Sequence, residues 1–587
     1  MMLRREIYFR VALVGILVLG FALRITGVNW DSYQHLNPDE RFLTMVLGGM
    51  KWPGVFDYFK TSVSTFNPVN VGFGFFVYGT LPLFITKAAA GVLGMGNYNG
   101  YLIVGRVLSA LFDWGTIWVV YALGKNLFSG SREKLAGLAA AFFYAVSVVP
   151  IQNSHFFIVD TFGNFFGALT LLFLVRTVNG RGLVNWMGLG ASAGAAISCK
   201  LNMVLVAGGA VGVATVLGVW QNRARNWKEL LAGLLTTAVV AYIAARVFLP
   251  YAFEDYSLGN LENRFVANSK TAGMMMRGEV DMPPAILWAG TNFFFPIQEM
   301  AVWGLGLPLG VLTMFALGWN GAKIIRERDW LWGGVAGVVI AQIVYQVGFS
   351  PKPQRYYLLA YVLAALIAGR FVTAGKSEWK RYVFFGVGFL TLLWAVAFTA
   401  IYRVPHSRVA ASRWIYQNVP RGARVGWELW DDPLPLLIDG HGGGEYEGVE
   451  MALYDTENEV KREELIADLT EADYIALSSN RLYGSIPRIP GRYPLAIRYY
   501  QLLFSEKLGF LKVAEFNSYP RLGRVRIVDQ GAEEIFTVYD HPRVVIFAKN
   551  SDFSETALRD AFGDIDFSGV KQILAKDVTV PGWGKSF

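Results

Sequence analysis

The chain has little cysteine and little charge. Its single cysteine, Cys199, excludes an intrachain disulfide, so an oxidising compartment would leave no mark on it. Of its 587 residues 17% are charged and 54% hydrophobic, and long apolar runs recur through the first two thirds of the chain. That pattern belongs to a polytopic membrane protein. Also missing are a glycine-rich phosphate loop, a dinucleotide fingerprint on a strand–helix unit and a zinc-type cluster, which disfavours a nucleotide-driven mechanism. There are no internal repeats or low-complexity tracts, and no small-residue cleavage site follows the basic head, so residues 1–27 read as a retained first span. The formal charge of +8 invites a nucleic-acid partner. The basic residues lie at the ends of apolar runs, however, where membrane topology accounts for them and no nucleic acid is needed.

What is present is a succession of eleven apolar runs, at residues 7–27, 101–124, 135–152, 157–175, 183–198, 200–219, 229–250, 297–318, 329–349, 355–373 and 380–402. A helix needs about 20 residues to cross the hydrocarbon. Arg4 and Arg5 precede the first run. Every second connection thereafter is basic: Lys125/Arg132/Lys134, Arg176/Arg181, Arg223/Arg225/Lys228, Lys323/Arg326/Arg328 and Lys376/Lys380/Arg381. Those connections and the N-terminus read as cytoplasmic, and the tail as extracytoplasmic. Residues 73–93, "FGFFVYGTLPLFITKAAAGVL", are apolar enough to span, but a span there would break the alternation. They are expected to form a helix on or dipping into the outer face. The predicted fold is a polytopic α-helical membrane protein of about 11 transmembrane helices with a C-terminal soluble α/β domain. The transmembrane domain would cover 1–402, with an external loop at 28–100, and the extracytoplasmic domain 403–587.

In the stretch "DSYQHLNPDERFLTMVLGGM", Pro38 disfavours helix at Asn37, and a short helix is expected from Arg41. Asp39 and Glu40 could cap it, or a carboxylate at the lipid–water boundary could serve as a general base. On the same predicted face lie His155 and Asp160, in "QNSHFFIVDTFGNFF". The histidine could be a proton carrier, a metal ligand or an interfacial polar residue; Asp160 could cap a span or bind substrate. The acids could also hold a divalent metal, but scattered carboxylates do not specify one. Arg106, Lys200, Lys352 and Arg355 place positive charge on the outer face, against the orientation rule. They either snorkel to head groups or clamp an anion such as a lipid phosphate.

Five stretches carry a family resemblance: "NPDERF", "GRVLSALFDWGTIWVVYALGKNLF", "VVPIQNSHFFIVDTFGNFF", "GLGASAGAAISCKLNMVLV" and "PQRYYLLAYVLAALIAG". In this order the chain resembles the GT-C glycosyltransferases, and among them the protein O-mannosyltransferase-like group that uses polyprenyl-phosphate sugars. Where that group often has paired prolines ahead of a Gly-Lys, only Pro82 and Lys87 appear. The resemblance implies a GT-C-type membrane domain and Asp39 as catalytic base, with Glu40 orienting the base or the acceptor and Asp160 as a second active-site acid. It also implies Arg106, Lys200 and Arg355, with Lys352 beside them, as ligands of the donor phosphate. The donor would be a polyprenyl-phosphate-linked sugar and the acceptor a hydroxyl of a protein, lipid or glycan, at the outer face of a plasma membrane. Some relatives use a divalent metal and others none.

The tail, from "ASRWIYQNVPRGARVGWELWDDPLP", suggests a short helix around Trp414, strands at 423–427, 474–478, 511–516 and 544–548, and a helix near 462–469. Glu428, Asp431 and Asp432 are either sugar ligands or a solvated loop cluster, and an acceptor-docking or lid role is expected of the domain. Two rival readings are a transporter with acidic ion or proton sites and a non-catalytic envelope scaffold.

Overall fold

The computed structural model describes residues 2–128, 133–180, 182–222 and 227–578. Arg132, Arg181, Arg223 and Arg225, used above for orientation, lie outside the described residues, as do the side chains of Arg4 and Arg5. In chain order the membrane part consists of α1 (Met2–Ile25), α2 (Pro38–Gly49), α3 (Leu81–Val92), α4 (Tyr98–Leu127), α5 (Glu133–Ala145), α6 (Val148–Ser154), α7 (Val159–Asn179), α8 (Leu183–Cys199) and α9 (Val204–Asn222). It continues with α10 (Trp227–Phe248), α11 (Asn263–Met276), α12 (Phe295–Glu299), α13 (Leu307–Glu327), α14 (Trp330–Val347), α15 (Leu358–Thr373) and α16 (Glu378–Thr399).

All eleven apolar runs are helical. Among the described residues eight helices have the length and hydropathy to cross a membrane, and α5 with α6, bent by 60°, would make a ninth. Pro150 lies in the first turn of α6, where its missing N–H leaves no hydrogen bond broken. The other two are α8, with 17 residues, and α13, which carries Lys323, Arg326 and Glu327 near its end. In the doubtful segment 73–93 only the 12 residues of α3 are helical. At about 1.5 Å per residue it is too short to cross.

At the centre stands α15, every residue of which from Leu358 to Val372 is buried. A helix apolar all round belongs inside a bundle. Elsewhere small residues let backbones meet. A Cβ on Gly194 of α8 would come within 2.5 Å of the Ala241 carbonyl of α10, and one on Gly137 of α5 within 2.6 Å of the Tyr121 carbonyl of α4.

After α17 (Ser407–Asn418) the chain builds β1 (Arg424–Glu428), β2 (Glu447–Met451), α18 (Glu459–Glu471), β3 (Tyr474–Leu477), β4 (Phe510–Phe516), β5 (Arg521–Leu522), β6 (Val525–Arg526) and β7 (Val544–Lys549). The main sheet has the order β2-β1-β3-β7-β4. In it β1 is parallel to β2 and β3, while β7 is antiparallel to β3 and β4. The four strands and the helix expected from sequence are present within one to three residues. The edge strand β2 and the hairpin β5–β6 were not anticipated. Burial alternates irregularly along β2, reading exposed, exposed, buried, exposed, buried, which hides the strand period. The two parts interpenetrate: Ala285, Ile286 and Ala289, between α11 and α12, sit in the core of the sheet domain with Tyr483 and Ile486.

Glu428, at the end of β1, is buried and accepts from Tyr500 Oη at 2.7 Å, while its Oε2 has no partner. Burial, with Asp431 beside it, pushes its carboxyl up to about 8. Because the folded value lies above the unfolded one, the acid favours the fold at low pH, and that contribution is lost as pH rises from the usual carboxylate range through about 8. Glu428→Gln should therefore raise the thermal melting point relative to wild type increasingly across that window and then level off, as read by scanning fluorimetry in detergent.

Candidate active site at the junction of membrane bundle and sheet domain

The loop from Asp31 to Asn37 is held in unusual backbone conformations. Ser32, Tyr33 and His35 have φ of 55°, 63° and 52°, left-handed values that cost energy in residues with a Cβ and that cluster at functional sites. Their fixings are visible. Arg41 Nε donates to the His35 carbonyl at 2.9 Å, and the His35 ring stacks on Tyr98 with both nitrogens engaged, to Thr44 and Asn99. Asn37 caps α2 by accepting from the Asp39 and Glu40 N–H groups, with Pro38 in the first turn, where it fits. The helix thus begins at Pro38 and not at Arg41, and Asn37 performs the capping considered above for the acids.

Asp39 and Glu40 point to different partners. Asp39 Oδ1 accepts from Tyr78 Oη at 2.5 Å, and Oδ2 forms an ion pair with Arg355 Nη1. Burial alone would raise this carboxyl, but Arg355, Tyr78 and the more distant Lys200 outweigh it and hold it below the usual range. Asp160, at the start of α7, pairs with Lys200 Nζ at 2.5 Å. That ammonium lies 3.9 Å from the centre of the Tyr356 ring, and the Arg355 guanidinium 5.7 Å from the same ring. Two acid–cation pairs from four separate segments therefore meet around Tyr356. The Arg355 Nε and the Asn37 Nδ2 have no hydrogen-bond partner, and both residues line one narrow void roofed by Glu533, Ile535, Phe536 and Tyr539.

Other expected site residues take structural places. Arg106 was read as a phosphate ligand, but its guanidinium is fully buried and all five of its N–H groups are used: on Glu40 at 2.6 and 2.8 Å, Asp31 at 2.8 and 2.9 Å, and the Val28 carbonyl at 2.8 Å. It cannot also clamp a phosphate without leaving two buried carboxylates uncompensated. Glu40, expected to orient the base or acceptor, is the other half of this clamp and accepts from the Phe157 N–H at 2.8 Å, which ties the two acidic turns together. His155 is packed flat on Tyr402, with its nitrogens against the Ile151 and Thr26 carbonyls, and faces none of the site acids. Lys352 is buried, donates to the Ser350 carbonyl at 3.4 Å and pairs with no carboxylate among the described residues; burial pushes its ammonium down.

Sequence reasoning missed Asp31, Tyr78 and Tyr356. Asp31 was visible as a third acid in the quoted stretch and Tyr356 as the neighbour of Arg355, whereas nothing local marks Tyr78. A second buried ion pair was also missed: Arg24 Nε bonds Asp113 Oδ2 at 2.6 Å inside the bundle, and Tyr144 Oη donates to Oδ1 at 2.5 Å. Asp113 lies two turns beyond Arg106 on α4, a spacing that could have paired the two clamps on one helix.

Beside Pro38 a cavity of ≈270 Å³ opens between the two parts of the protein, lined by Arg41, Arg408, Trp430, Asp431, Asp432 and Arg481 among others. Arg41 crosses it to Asp432 at 2.6 Å, and Arg408 pairs with Asp431 and Asp432. Asp431 and Asp432 are thus bonded to arginines at the domain junction and do not form a free loop cluster, whereas Glu428 is sealed inside. As for a metal, no group of three or more His, Cys, Asp or Glu side chains among the described residues is arranged to hold one, and Asp39 and Asp160 are each bonded to a cation. This donor set does not fit a divalent ion.

Residues 82–248, from α3 through α10, match the profile of the dolichyl-phosphate-mannose-protein mannosyltransferase family. Over that stretch, less than a third of the chain, this multi-pass membrane protein is similar to that family. The stretch contains Asp160 and Lys200 but neither Asp39 nor Arg355. No curated protein sequence matches the chain. Among solved structures, the archaeal oligosaccharyltransferase AglB from Archaeoglobus fulgidus, in complex with an inhibitory peptide and a dolichol-phosphate, is 13% identical. That match covers 89% of this chain and 75% of AglB with a TM-score of 0.47. ArnT from Cupriavidus metallidurans, bound to undecaprenyl phosphate, is 12% identical over 94% of this chain and 99% of its own, with a TM-score of 0.41.

The clamp geometry makes a prediction about stability. Arg106→Ala should destabilise the protein by roughly 3–5 kcal/mol, as expected for stripping the partner from buried charges. A melting point that stayed at the wild-type value would contradict the structural assignment of Arg106.

Proposed function

We propose that the chain is a membrane glycosyltransferase that moves a hexosyl group from a polyprenyl-phosphate donor to an acceptor hydroxyl. The observation that carries this reading is the meeting of the Asp39–Arg355 and Asp160–Lys200 pairs around Tyr356 at the junction of bundle and external domain. The mannosyltransferase match across α3–α10 supports the reaction class.

Arg355 and Lys200 hold the donor phosphate. Arg355 suits this because its Nε is unspent, in contrast to Arg106. The same step prepares the base. In the resting protein Arg355 depresses the basicity of Asp39; once the phosphate draws the guanidinium away, burial and Tyr78 are left to set it, and the carboxylate becomes a stronger proton acceptor. Asp39 takes the proton of the acceptor hydroxyl, whose oxygen bonds to the anomeric carbon as the bond from that carbon to the phosphate oxygen breaks. The phosphate leaves as an anion neutralised by Arg355 and Lys200, so no acid is required to protonate it. A single displacement with one base inverts the anomeric configuration. Asp160 keeps Lys200 in place, and the charged cavity beside Pro38 receives the acceptor, whether protein, lipid or glycan. In this reading the N-terminus lies in the cytoplasm and the site on the outer face of the plasma membrane, and the basic connections support that orientation.

Asp39→Asn should retain donor binding and lose transfer by about 10²–10⁴-fold, the usual range for a general base; wild-type turnover would remove Asp39 from the chemistry. In Arg355→Ala the Asp39 carboxyl should titrate at higher pH, because burial is then opposed only by Tyr78 and the more distant Lys200. The acid limb of kcat/KM should shift upward together with a weaker donor KM. An unmoved limb would separate Arg355 from the base.

A further inference from the structure

One buried acid of the external domain reaches the donor site without being part of it. Glu533 is 7% exposed and lies in the segment that roofs the void beside Arg355. Its Oε1 accepts from the backbone N–H of Gln354 at 2.7 Å, the residue immediately before Arg355, and its Oε2 accepts from Trp288 Nε1 at 3.3 Å. Its own N–H donates to Glu299 Oε2 at 2.9 Å. Gln354 is further fixed through its side chain, to the Pro296 carbonyl and Tyr361 Oη. The neighbouring chain is docked as firmly: Gln152 Nε2 donates to the Phe536 carbonyl at 2.7 Å and to Asp540 at 3.0 Å, and Tyr402 Oη to Asp540 at 2.7 Å. A carboxyl this deeply buried, placed on one backbone N–H of a functional turn, costs desolvation that packing alone does not require.

We infer that Glu533 is a positioning residue for the donor site, setting the turn that carries Arg355 through the Gln354 N–H and so making phosphate binding depend on a docked external domain. This rests on the reading of Arg355 as a phosphate ligand. The groups facing Glu533 are the carboxyls of Glu299 and Glu534, the Tyr357 and Tyr361 hydroxyls and, beyond Glu299, Arg488. Burial and the two neighbouring acids push the Glu533 carboxyl up to about 8. Below that pH the neutral acid fits its site; as pH rises through it, burial and the charge of Glu299 and Glu534 work against the carboxylate by more than its stronger bond to the Gln354 N–H returns, and the packing of the segment loosens.

The test uses the full chain in detergent with a polyprenyl phosphate as probe, read by calorimetry. Glu533→Ala should weaken binding about tenfold, the worth of one hydrogen bond in a charged site, and raise donor KM while leaving kcat at saturating donor unchanged. Glu533→Gln keeps a carbonyl acceptor and should bind within about twofold of wild type. Should Glu533→Ala fail to fold, wild-type affinity should still fall as pH passes about 8, a limb that Glu533→Gln abolishes. Unchanged affinity in Glu533→Ala, equal losses in both variants, or a limb persisting in Glu533→Gln would each overturn the inference. Arg355→Ala, run in parallel, separates the cases: full phosphate affinity in that variant overturns the donor-clamp reading itself.

Discussion

The architecture depends on one guanidinium. Arg106 projects from α4 and draws Asp31 and Glu40 to it, and Glu40 in turn takes the Phe157 N–H. This brings the first external loop, a spanning helix and the turn before α7 into one fixed arrangement. A buried charge with two buried counter-charges is costly to assemble and still more costly to break, so the arrangement tolerates little drift. Asp39 is the residue beside Glu40, and Asp160 lies three positions beyond Phe157. Their proximity follows from the clamp next to them, and neither acid has to hold the scaffold together.

That division explains why adjacent acids differ in character. Glu40 meets a guanidinium whose donors are all used, so its environment is closed. Asp39 meets a guanidinium with a donor left over, next to an amide of Asn37 that is also unpaired. Unsatisfied buried donors are rare in folded proteins, and two of those in this chain lie around one void. The external domain roofs that void, and Tyr539 lines both it and the larger cavity beside Pro38. The proposed donor and acceptor sites thus share a single side chain as their border.

Much of this was legible in the sequence. The apolar runs became helices because length and hydropathy suffice to define them, and four strands of the external sheet followed from alternation. The acid and cation turns were visible because charge beside a long apolar run is conspicuous. What could not be read was which charge meets which. Arg106, Lys200 and Arg355 look alike as cations beside spans, yet one is saturated by Asp31 and Glu40 and the other two are not. That difference arises from tertiary pairing across 66 and 75 positions for Arg106 and 316 for Arg355. Tyr78 and Glu533 stand in segments with no local periodicity or motif, and their roles come only from what folds against them.

The two cations proposed to hold the donor phosphate sit on different supports. Arg355 stands on the turn 354–357 that leads into α15, the wholly enclosed axis of the bundle, whereas Lys200 stands on the short connection where α8 gives way to α9. One is carried by the enclosed axis of the bundle and the other by the junction of two helices. On the proposed function, a single carrier phosphate would bridge the enclosed axis of the bundle to the α8–α9 junction and tie the two together while it is bound.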